Sequence, residues 1–144
     1  EKLITASPHA EHLKLLGHVA DPRTVFAALD LFAISSYSEG LPNVLLESLA
    51  CRVPVVATAV GGIPRVVTDE HDALLGSSDD SDALTLAFSR LLHNESLAES
   101  LKANGLATVE TRYSFETRMR KMDAVYDDLL HRTSVPSPLK GRGD

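Results

Sequence analysis

Leu31-Phe32-Ala33-Ile34 and Val53-Pro54-Val55-Val56-Ala57 are two apolar runs in which polar residues do not alternate. That pattern predicts strands covered on both faces, as in a parallel sheet. Between them lie a polar loop, residues 35–40, and a segment with helical character, residues 42–50, whose Pro42 suits the first turn. Strand, helix and strand in that order make a βαβ unit.

Upstream, residues 14–19 (K-L-L-G-H-V) form a short apolar run that reads as another buried strand. Asp21-Pro22 then starts a short helix, with Val25, Phe26 and Leu29 at helical spacing. Downstream, Gly61-Gly62 breaks the pattern, and residues 65–67 and 73–75 read as minor strands. Leu84, Ala87, Phe88 and Leu91 follow a polar cluster at helical spacing. Leu97, Leu101 and Val109 mark a further helix, weakened by Asn104-Gly105. Ser114 can cap a last helix with Phe115, Met119, Met122, Tyr126 and Leu129 or Leu130 on one face. Residues 133–144 are rich in Pro, Ser, Gly and basic residues, and disorder is expected there. The expected fold is therefore α/β, a Rossmann-like parallel sheet flanked by helices over residues 1–132.

The 144 residues suit one domain, with 44% hydrophobic and 24% charged residues as in ordinary globular proteins. A net charge of −6 argues against nucleic-acid binding, which needs a basic face, and against docking on an acidic membrane. Cys51 is the only cysteine, which rules out an internal disulfide framework and a cysteine zinc site. No apolar run has the length of a membrane span, and no secretory signal opens the chain. A cytoplasmic location fits these features. The first residue is Glu1, not Met, so a piece of a longer chain is expected.

Ligands of parallel sheets bind outside the carboxyl ends of the strands, so the loops after Ile34 and Ala57 carry the chemistry. The first reads Ser36-Tyr37-Ser38-Glu39-Gly40-Leu41-Pro42-Asn43, and its helix carries Glu47. Gly40 allows close approach of a ligand or a positive φ. Free N–H groups at a helix start favour a phosphate, and a carboxylate such as Glu47 can hold a vicinal diol. The same features also serve structure alone, because acids stabilise helix N-termini and Gly-x-Pro is common turn chemistry. The second loop, with Gly61-Gly62, is either an anion-binding nest or a tight turn.

Taken together, these segments resemble a known family. Glu39-Gly40-Leu41-Pro42-Asn43-Val44-Leu45-Leu46-Glu47, Val53-Pro54-Val55-Val56-Ala57-Thr58 and Val60-Gly61-Gly62-Ile63-Pro64 look like the signature of retaining glycosyltransferases with the two-domain GT-B fold, and more narrowly of group 1, family 4. Leu16-Gly17-His18-Val19-Ala20-Asp21, Tyr113-Ser114-Phe115 and Val125-Tyr126-Asp127-Asp128 extend the likeness over residues 12–131. The resemblance implies the C-terminal, donor-binding half, lacking its first elements and the N-terminal acceptor domain. It implies a nucleotide-diphosphate sugar as ligand, with Glu39 beside the donor sugar as the catalytic residue and Glu47 on the ribose. Gly17, Gly40, Leu41, Pro42, Asn43 and Val44 would complete the donor site. No cofactor or metal is implied, and no Asp-x-Asp metal motif is present. Self-association and peripheral membrane attachment through the missing domain are further expectations.

The chain also departs from the family. The family's Arg/Lys pair on the diphosphate has no counterpart before Leu16, where Lys2 and Lys14 do not match the pattern. Weak donor binding and negligible turnover by the isolated chain are the consequence. Arg52 and Glu70 stand where glycines are usual, as does Ala73, and Arg65 replaces a usual Glu. A left-handed Arg52 would cost about 1 kcal/mol. The competing readings are a non-catalytic remnant or interaction module of the same fold, a phosphorylation receiver and a sugar-nucleotide epimerase. A receiver needs an early acidic pair and a late Lys-Pro, and both are absent. His9 and His12 and the basic run Arg118, Arg120, Lys121 read as solvated surface.

Overall fold

The structure, a computed structural model, describes residues 2–132. The disorder expected of residues 133–144 lies outside the described residues. In chain order the elements are α1 (Lys2–Thr5), a 3-10 turn (Ala10–His12), α2 (Arg23–Phe26), β1 (Phe32–Ile34), α3 (Asn43–Ala50) and β2 (Val55–Thr58). There follow α4 (Ile63–Val66), β3 (Leu74–Gly76), α5 (Ser81–Leu92), α6 (Glu95–Thr108), a π-helical turn (Val109–Tyr113) and α7 (Phe115–Arg132).

The sheet is parallel in the order β1-β2-β3, with Ala33 opposite Val56 and Ala57 opposite Leu75. Every residue of β2 is buried, as its unbroken apolar run predicts. Its side chains alternate between two cores. Val55 and Ala57 join Ile34, Leu45, Leu49, Ile63 and Val66 under α3 and α4. Val56 joins Leu74, Ala87, Leu91 and Leu101 under α5 and α6. The helices therefore cover both faces, and the fold is the Rossmann-like α/β class expected.

Asp80 and Asn94 cap α5 and α6 by accepting from the amides of Ala83 and Leu97. The Ser114 hydroxyl accepts from Thr117 N–H at the start of α7, as expected. Gly105 does not break α6: a Cβ there would stand 2.6 Å from Cδ2 of buried Leu49, so the glycine lets α6 approach α3. Buried Asp72 ties the β3 entry to α6, accepting from Thr68 N–H, the Thr108 hydroxyl and His71 Nδ1.

Three expectations are corrected. Residues 14–19 are not a buried strand; among the described residues they pair with no strand, and Leu15 and Leu16 are 62% and 55% exposed. Composition marks an apolar run but not the presence of a ladder partner. Residues 65–67 are not a strand, because Pro64 starts α4 and carries Arg65 and Val66 into it. β1 is not covered on both faces, since Ala33 is exposed on this edge strand. The last helix forms where expected, as α7, and Phe115, Tyr126 and Leu129 on it are exposed.

Candidate functional site

The two loops singled out by the sequence cross at the carboxyl edge of the sheet. Thr58, at the end of β2, donates its hydroxyl proton to the Ser36 carbonyl at 2.6 Å and holds the first loop to the strand. Ser36 Oγ in turn donates to Glu39 Oε1 at 2.6 Å, fixing that carboxylate. Gly62 N–H donates to the Gly40 carbonyl at 2.7 Å. Gly61 has φ +56°, and a Cβ on Gly62 would fall 2.3 Å from the Gly40 oxygen. The paired glycines thus permit backbone to lie directly on backbone. The Gly62 amide is committed to Gly40, so it is not a free donor for an anion.

Gly40 has no positive φ, and a Cβ on it would meet nothing within 4 Å. Its freedom is therefore space above the backbone and not an unusual conformation. Pro42 precedes α3 in an extended conformation, and the first turn contains no acidic residue. Among the described residues the amides of Gly40, Leu41, Asn43 and Val44 donate to no acceptor. These orphan N–H groups stand at the positive end of the α3 dipole.

Glu39, Gly40, Leu41, Gly61 and Gly62 line a hollow of about 460 Å³, together with Arg65, Val66 and Tyr113. A second hollow of about 620 Å³ adjoins it at Leu41 and Tyr113 and runs between α3 and α7. Asn43, Leu46, Met122 and Tyr126 line it with Arg118 and Lys121. Arg118 and Lys121, expected to be a solvated face, therefore border a groove. Glu47 is exposed on α3 and lines neither hollow; it follows Asn43 by one turn along the same helical row. Gly17, at φ +66°, sits in the exposed segment before α2 and also lines neither. Pro42 and Val44 flank the start of α3 without lining them.

Sequence reading missed Tyr113 and treated Arg65 only as a departure. Tyr113 reaches the hollow from the π-helical turn, and its hydroxyl donates to the Arg65 carbonyl at 3.3 Å. Arg112 donates to the carbonyls of Arg65 and Val66, with its guanidinium 5.3 Å from the Tyr113 ring centre. No local pattern signals contacts made across so long a stretch of chain. Among the described residues no cluster of His, Cys, Asp and Glu could hold a metal ion, and no helix is long and apolar enough to cross a membrane.

A Rossmann-like half-domain with a loop-built hollow at its strand ends defines the class. Residues 1–94 match the family described as glycosyl transferases group 1, and the chain belongs to that family. It is 32% identical over 123 residues to the lipopolysaccharide core biosynthesis mannosyltransferase LpsB of Rhizobium meliloti, covering 84% of this chain and 35% of that protein. It is 38% identical over 107 residues to the D-inositol 3-phosphate glycosyltransferase of Mycobacterium marinum, covering 74% of this chain and 23% of that one. The chain spans about a third of the length of several curated relatives it matches. Sucrose-phosphate synthase from Thermosynechococcus elongatus superposes with a TM-score of 0.83 at 28% identity, covering 91% of this chain and 33% of that one. The C-terminal domain of LpcC, a group 1 glycosyl transferase of Francisella tularensis, superposes with a TM-score of 0.58 at 26% identity, covering 69% of this chain and 53% of that one. The fold is that of the C-terminal half of a GT-B enzyme.

Proposed function

We propose that this chain is the donor-binding half of a glycosyltransferase that takes a sugar from a nucleotide diphosphate. The observation that carries the reading is the loop crossing, which sets the Ser36-held Glu39 carboxylate in a hollow beside a run of unpaired amides. The amides of Gly40, Leu41, Asn43 and Val44 suit the diphosphate and the sugar. Glu39 suits the sugar at its anomeric end, where positive charge develops. Negative charge builds on the departing phosphate, and donors already in place there lower the barrier. Glu47, further along α3, is assigned to the ribose hydroxyls. Gly17 is assigned to the donor site, and Gly61-Gly62 to its floor.

The reaction needs no metal in this reading, because backbone donors and the α3 dipole face the leaving group. The acceptor is bound by another part of the full-length protein, and the isolated chain binds donor weakly and turns over negligibly. The two curated relatives described above are named for sugar transfer, which supports the class of reaction. Calorimetry with UDP-, GDP- and ADP-sugars tests the reading. One nucleotide sugar binds, and Glu39→Gln and Glu47→Ala each weaken it about tenfold or more. Binding unchanged in both variants removes the assigned roles.

A further inference from the structure

Among the described residues Arg65 is the one cation lining the Glu39 hollow. Its backbone carbonyl accepts from Arg112 Nη2 at 3.0 Å and from the Tyr113 hydroxyl at 3.3 Å. Arg112 Nη1 also holds the next carbonyl, that of Val66. Three bonds from one turn thus clamp the last part of α4, while Gly61 and Gly62 fix its start against Glu39 and Gly40. The Arg65 guanidinium makes no hydrogen bond or ion pair among the described residues, to Glu39 included. The other arginines whose side chains are bonded here are spent on Asp21, Glu70, backbone carbonyls, Thr117 or Asp128.

A hollow holding only Glu39 would repel an acidic ligand. Arg65, exposed and with its guanidinium unspent, lines the same hollow and cancels that charge while offering a cationic donor. A guanidinium presents paired N–H donors that match a carboxylate, and such charge-assisted pairs are the strong ones. We infer that Arg65 is a specificity-determining residue that binds the carboxylate of an acidic donor sugar, a hexuronic acid class of substrate. This rests on the reading of the Glu39 hollow as the donor-sugar site. Glu39 faces the anomeric end, and Arg65 takes the acidic group on the far side of the ring.

The test compares donors that differ by one group. The 144-residue chain is titrated, with its amide resonances observed, against UDP-glucose and UDP-glucuronate, and against GDP-mannose and GDP-mannuronate. The acidic member of one pair binds about tenfold or more tightly. Arg65→Gln abolishes that preference, because the acidic donor loses about tenfold more affinity than its neutral counterpart. Arg65→Lys keeps part of it, having the charge without the paired geometry. Equal binding of acidic and neutral donors by the wild type, with Glu39→Gln weakening both, overturns the inference and leaves the donor reading standing. Absence of binding, or binding indifferent to Glu39→Gln, removes the donor reading and this inference with it. A preference that survives Arg65→Gln assigns the acidic group to another residue and also overturns it.

Discussion

A Cβ atom on Gly61 would stand 1.7 Å from the carbonyl oxygen of Glu39. No side chain fits such a space, and φ at Gly61 is already left-handed at +56°. Gly61→Ala therefore combines backbone strain with a clash against backbone that cannot swing aside. A loss of about 2–4 kcal/mol is expected by denaturant unfolding. Gly40→Ala is the contrast, because its Cβ meets nothing within 4 Å. It changes stability by less than about 0.5 kcal/mol, and on the proposed function it weakens donor binding. Equal stabilities of the two variants would contradict the crossing described.

Arg52 follows α3 with φ 58°, in the region where glycine is favoured. Its side chain makes no hydrogen bond or ion pair among the described residues. Arg52→Gly should raise stability by about 0.5–1 kcal/mol, the larger unfolded-state entropy of glycine offsetting part of the relief. Thermal unfolding reads this as a higher Tm, and a lower one would show that the left-handed cap is not strained.

Glu70 has φ 62° and is tied to Arg90 by two hydrogen bonds, at 2.6 and 2.9 Å. Those bonds hold its carboxyl below the ordinary carboxylate range. A depressed carboxyl stabilises the fold above its unfolded pKa and loses that contribution as pH falls through the folded value. Glu70→Gly removes both the strain and the pair. The variant should gain on wild type as the pH falls below about 4, because wild type progressively loses the pair but keeps the strain. A Tm difference independent of pH between 7 and about 3 would contradict this.

Asp72 is 2% exposed and accepts from Thr68 N–H, the Thr108 hydroxyl and His71 Nδ1. Asp72→Ala strands these donors and should cost about 3 kcal/mol. Thr108→Val removes one of them and should cost about 1 kcal/mol. Comparable losses in the two variants would mean that the carboxylate is not the organising group.

The legible parts of the fold were those set by neighbours in sequence. Val55 to Thr58 is apolar without a break and becomes the buried central strand. Pro42 opens α3 and Asp21 binds the first amide of α2, as local chemistry predicts. Arg52 and Glu70 stood out as residues in glycine places, and both proved left-handed. The illegible parts depend on distant partners. Leu15 and Leu16 look like strand residues until no strand lies beside them. Val66-Val67 looks like a strand until Pro64 turns the chain into a helix. The Glu39 hollow was half legible: its loops are local, but Tyr113 reaches it from 48 residues beyond Arg65.

The most direct measurement is an amide-resolved titration of the chain with nucleotide-diphosphate sugars. If the loop crossing forms a donor site, the largest shifts fall on Gly40, Leu41, Asn43, Val44 and Gly61, and they collapse in Glu39→Gln. Shifts confined to α5 and α6, or unchanged by Glu39→Gln, would contradict it.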